Sequence, residues 1–131
     1  MAFEFPVVVP YYQVDQQGVV FNMWYLAWFD EAMSGLLSSV GYPYETMIAG
    51  GVDVQLVHTD VDWRGSARWG EQVRIEVSPA AVGTTSFTLA FDARVRGEAI
   101  VSARTVYVVI ATDGSGKLPV PPALRDALGS T

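Results

Sequence analysis

Asp15 is the residue whose neighbours best equip it for chemistry. It opens the run Asp15–Gln16–Gln17–Gly18, which leads through an apolar step, Val19–Val20–Phe21, to Asn22. There a helix of about four turns is expected to begin. A carboxylate held just ahead of a helix start can attack a carbonyl carbon or take a proton from water. The first turn of a helix has free backbone N–H groups and the positive end of the helix dipole. Both favour the negative charge that forms on the carbonyl oxygen. The same residue types have plainer uses: aspartate closes turns through its own side chain, and asparagine caps helices.

Little else in the chain offers reactive groups. His58 is the single histidine, in a stretch with Asp60 and Asp62, and the scattered acids form no ligand cluster, so no metal and no cofactor are expected. There is no cysteine, which excludes disulfides and thiolate chemistry and favours a cytoplasmic setting. The net charge of −6 disfavours nucleic acid as a partner. Its distribution is more informative. Residues Met1 to Trp63 contain eight acids and no Lys or Arg, whereas all eight basic residues lie from Arg64 onward. Phosphates on a ligand would therefore be held by the second half of this chain or of a neighbouring copy. Arg64, Arg68, Arg94 and Arg96 are the candidates.

The elements that must position Asp15 follow from periodicity. Phe3 to Val9 is a first strand closed by Pro10. Gly18 gives the Asp15 turn a backbone shape that other residues resist. From Asn22, Tyr25, Phe29, Ala32, Leu36 and Val40 recur at helical spacing, and Trp24, Leu26, Trp28, Met33 and Leu37 fill much of the remainder. Such a helix is expected to be buried nearly all round, until Gly41 and Pro43 end it. Gly41 to Asp53 is a loop with one helical turn. The period then changes to two. Gln55–Trp63 is a strand with Val57, Val61 and Trp63 on one face, and His58 sharing the other with Val54, Leu56, Asp60 and Asp62. Gln72–Val77 and Thr85–Val95 alternate cleanly, whereas Ala99–Thr112 is apolar on both faces, as a central strand would be. A short helix, Ala123–Leu128, follows Pro121–Pro122. At 131 residues the chain is one α+β domain, an antiparallel sheet wrapped around one hydrophobic helix. No run is long enough to span a membrane, and the start lacks the basic residues of a signal peptide. The outer apolar face of Ala99–Thr112 would meet another subunit, giving at least a homodimer.

The segment Tyr11 to Leu26 resembles the opening motif of hotdog-fold acyl-CoA thioesterases, in particular the 4-hydroxybenzoyl-CoA thioesterase-like group, with Asp15, Gly18, Val19, Val20 and Tyr25 matching. Gly70–Glu71 and the turn Gly116–Lys117–Leu118–Pro119 are similar to the family as well, so the likeness spans nearly the whole chain. Two positions depart from it: Gln13 stands in place of the first of two paired acids, and Met33 in place of a frequent arginine. The resemblance implies a hotdog fold and hydrolysis of an acyl-CoA or acyl-carrier-protein thioester. It makes Asp15 the nucleophile or general base and Asn22 the residue whose backbone N–H polarises the carbonyl. Gly18, Val19, Tyr25, His58 and Thr59 would contact substrate, in a homodimer or a tetramer of two such dimers. Two alternatives share the fold. One is a module that binds acyl thioesters without turnover, which the neutral Gln13 favours. The other is a hydratase or dehydratase, which would need His58 paired with an acid near the long helix.

Overall fold

The computed structural model describes residues 2–129. Five strands form one antiparallel sheet in the order β1-β3-β4-β5-β2, with β1 at Phe3–Val8, β2 at Val52–Trp63, β3 at Gln72–Val82, β4 at Ser86–Val95 and β5 at Glu98–Ala111. Three helices accompany it: α1 at Asn22–Ser39, α2 at Tyr44–Ala49 and α3 at Pro122–Gly129. The α+β arrangement expected of the sequence is thus present, and α1 crosses the inner face of the sheet over β1 and β3. No helix among the described residues is long and apolar enough to cross a membrane.

Alternation decides which side chains turn inward. Val73, Ile75 and Val77 of β3 and Phe87, Leu89, Phe91, Ala93 and Val95 of β4 are buried, as their period of two requires. Against them α1 lays Tyr25, Trp28, Phe29, Ala32, Met33, Leu36 and Leu37. Phe29 stacks on Phe91 with ring centroids 5.0 Å apart. A glycine inside a helix weakens it, and Gly35 has a packing reason to be there. The Phe3 ring of β1 lies where its Cβ would be, with a ring carbon 2.3 Å from that position.

The structure corrects four expectations. First, α1 is buried on one side only: Met23, Leu26, Ala27, Asp30 and Glu31 are exposed, because one sheet covers one helix face. Second, the loop after α1 contains a six-residue helix, α2, and β2 starts earlier, at Val52. Third, β2 carries a bulge between Leu56 and His58. Paired residues share a face, so Leu56 opposite Tyr107 and Thr59 opposite Thr105 turn inward, with Val61 and Trp63. His58, opposite Val106, turns outward with Asp60 and Asp62, and Val57 falls in the bulge, 53% exposed, rather than joining Val61. Fourth, β5 is an interior strand as expected, between β4 and β2, but its outer face is not apolar throughout. The outer face of β5 is apolar at Val106, Val108 and Ile110 but polar at Ser102 and Arg104.

Candidate active site

Local hydrogen bonds build the Asp15 turn. A 3-10 turn at Tyr11–Gln13 leads into Val14, which pairs with Val20 across a miniature hairpin. The Asp15 N–H donates to Val19 O at 2.9 Å, and the Gly18 N–H donates to Asp15 O at 2.9 Å. Gly18 has φ +78, the left-handed conformation this closure needs. Asp15 Oδ1 accepts the Gln17 N–H at 2.8 Å, so the aspartate does close its own turn. Asp15 as a residue is half-buried and borders two concavities.

One of these, about 450 Å³, is lined by Asp15, Gln16, Gln17, Phe21 and Asn22. It therefore joins the carboxylate to the start of α1. The capping position belongs to Phe21 rather than Asn22, which is the first helical residue, and no side chain caps the helix. Phe21 N–H donates to Gln13 O at 2.9 Å and Trp24 N–H to Phe21 O at 3.0 Å, whereas the amides of Asn22 and Met23 have no acceptor among the described residues. A phenylalanine cannot supply the oxygen that a serine or aspartate cap would, so these donors stay open to an incoming oxygen. The other concavity, about 550 Å³, has Tyr11, Tyr12, Val14, Asp15, Gln16, Gly18 and Trp69 for walls. Tyr11 meets Trp69 edge to face at 5.2 Å, and Tyr12 meets Trp24 likewise at 5.5 Å.

The turn is seated on the segment between β2 and β3. Val19 pairs with Arg68, and Val20 N–H donates to Ala67 O at 2.9 Å. Tyr25, expected to contact substrate, is buried in the core instead, and its hydroxyl accepts the Ala67 N–H at 3.0 Å. Burial raises the pKa of this phenol, which keeps it neutral. Glu71 then fixes the segment from the other side: Oε1 accepts the Arg68 N–H at 2.7 Å and Oε2 pairs with Arg96. Chiefly because of the Arg96 guanidinium, the Glu71 carboxyl titrates below its ordinary value.

The remaining candidates divide. Thr59 turns inward, its Oγ1 2.8 Å from that of the buried Thr105. His58 stands on the outer face, exposed, 3.1 Å from Asp60, so the bulge removes it from the inner face that α1 covers. Arg94 is paired with Glu76 at 2.7 Å, Arg96 with Glu71, and Arg64 donates to Ser102. Arg68 alone of the four has no side-chain partner among the described residues. No group of three or more His, Asp or Glu side chains is arranged for a metal ion among the described residues. Sequence reasoning missed the wall residues Tyr11, Tyr12 and Trp69: the tyrosines precede the turn, but Trp69 is distant in sequence and joins them only in the fold.

This fold and site define a class. The chain belongs to the Thioesterase-like superfamily, which it matches over residues 9–128. It is similar to the 1,4-dihydroxy-2-naphthoyl-CoA hydrolase of Synechococcus elongatus, with 22% identity over 98% of this chain and 96% of that one. Among solved structures, a 1,4-dihydroxy-2-naphthoyl-CoA thioesterase from Synechocystis superposes with a TM-score of 0.89 at 23% identity, covering 98% of this chain and 96% of the other. A gentisyl-coenzyme A thioesterase superposes with a TM-score of 0.88 at 23% identity, covering 96% and 99%. The fold is the hotdog fold of these enzymes.

Proposed function

We propose that this protein is an acyl-CoA thioesterase that releases a carboxylic acid and free CoA, acting on acyl groups built on an aromatic ring. The observation that carries the reading is the shared concavity in which the Asp15 carboxylate and the uncapped start of α1 meet. A thioester carbonyl seated there would direct its oxygen at the Asn22 and Met23 amides. Asp15 would then attack the carbonyl carbon, expelling the thiolate and leaving a mixed anhydride that water cleaves to restore the carboxylate. Alternatively it would take the proton of an attacking water. An oxyanion contact of this kind lowers the barrier by about 3 kcal/mol. The aromatic preference is supported by the Tyr11, Tyr12 and Trp69 walls next to Asp15 and by the naphthoyl and gentisyl substrates in the relatives' names. Arg68, beside the turn and without a side-chain partner among the described residues, is the first choice for a CoA phosphate contact, ahead of the engaged Arg64, Arg94 and Arg96.

The site of one protomer is shallow, and a second copy would complete it. β2 is a twelve-residue edge strand whose outer backbone groups have no neighbour in the sheet, and Leu56, Val57 and Trp63 are exposed along it. Phe21, Met23 and Leu26 are exposed at the start of α1. A two-fold pairing of β2 edges would cover this surface and close the concavity. Thiol release should be measured with benzoyl-, phenylacetyl-, fatty acyl- and enoyl-CoA. The expected result is turnover of the aryl thioesters above the fatty ones. Water addition to the enoyl thioester would favour a hydratase, and tight binding without thiol release a non-catalytic module.

A further inference from the structure

Arg96 is the one non-glycine residue with positive φ, +53, among the described residues. It occupies the two-residue hairpin Arg96–Gly97 between β4 and β5, where asparagine or glycine would sit without strain. A side chain kept in that conformation needs compensation, and strain of this kind gathers at functional sites. What the arginine gains is a grip on the segment that carries the Asp15 turn. One guanidinium nitrogen pairs with Glu71 Oε2 and the other donates to Ser66 O at 3.1 Å. Glu71 passes the grip on, since its other oxygen accepts the Arg68 N–H at 2.7 Å and its own N–H donates to Arg68 O at 3.1 Å. Arg96 and Glu71 thus hold both ends of Ser66–Arg68. That short stretch is what Val19 and Val20 pair with.

We propose that Arg96 and Glu71 are a positioning pair that sets where the Asp15 turn stands against the start of α1. The proposal rests on the reading of Asp15 as the reacting carboxylate. Neither residue needs to touch the substrate for this. Each acts through Ser66–Arg68: the Ala67 carbonyl accepts the Val20 N–H, Val19 bridges to Arg68, and Asp15 is hydrogen-bonded to Val19 in turn. The fork geometry matters: a guanidinium reaches Glu71 and Ser66 O together, whereas an ammonium makes one contact well.

The test is Arg96→Gly. Glycine removes the grip and also relieves the strained backbone, so a loss of global stability does not confuse the outcome. Two quantities are read against the wild type: steady-state thiol release from benzoyl-CoA, and hydrogen exchange at the Asp15 and Val20 amides. The expected result is a kcat about tenfold lower with little change in KM. Exchange at those two amides should be faster, with the β4 amides unchanged and thermal stability retained. Arg96→Lys should fall between. Unchanged exchange at Asp15 and Val20 would overturn the proposal, and so would faster exchange with wild-type kcat. If wild-type protein left benzoyl-CoA intact, the functional reading for that substrate would fail. The exchange data would still decide whether the pair holds the turn.

Discussion

Gly18 shows what a single residue contributes to this site. Its φ of +78 closes the Asp15 turn, and a methyl group there would meet no atom within 4 Å. Gly18→Ala therefore isolates backbone strain from packing. The expected loss is about 1 kcal/mol in urea denaturation, with activity reduced because the turn reopens. An unchanged midpoint would mean that the turn tolerates another shape. Residues of this kind are legible in a sequence because their partners are local. Asp15, Gly18 and Asn22 lie within one short stretch, and turn chemistry and helix ends are written in nearest neighbours. Arg96 and Glu71 are 25 positions apart and meet only after β3 and β4 have paired, so nothing in either neighbourhood announces the contact. Charge alone makes Arg96 a phosphate candidate, and only the fold shows its guanidinium engaged with Glu71 and Ser66.

Elements hold that turn in place through a buried link. The Ala67 N–H is sealed from water and has the Tyr25 hydroxyl as its acceptor, so α1 fixes the β2–β3 segment directly. Tyr25→Phe would leave this donor without a partner. A loss of about 1 to 3 kcal/mol is expected in chemical denaturation, with kcat lowered as the segment shifts. A smaller loss would mean that water reaches the amide. The helix itself was readable from its period, and so were β4 and β3 as far as Val77, though β3 runs on to Val82. The β2 bulge was not, because Val54, Leu56 and Val57 are all apolar and an extra residue leaves no mark on such a run. That one insertion moved His58 outward, and with it went the acid–histidine pair a hydratase would need near α1.

At the scale of the whole molecule, the start of α1 and the β2 edge are two of the places where large apolar side chains stay exposed. Phe21, Met23 and Leu26 lie at the start of α1, and Leu56, Val57 and Trp63 along the β2 edge. Leu56→Asp places a charge on that edge, at a residue 52% exposed. If the proposed pairing of β2 edges forms, this change is expected to shift dimer to monomer in sedimentation velocity and to remove thiol release with it. A dimer that survives the change would locate the interface elsewhere, for instance on the outer apolar strip at Val106, Val108 and Ile110. The most direct test of the account is steady-state thiol release by Asp15→Asn, compared with wild type under conditions where both give the same circular dichroism and oligomeric state. Loss of at least about a hundredfold in kcat is expected, since the amide can neither attack nor accept a proton. Turnover within about threefold of wild type, far inside that range, would contradict the claim that this carboxylate does the chemistry.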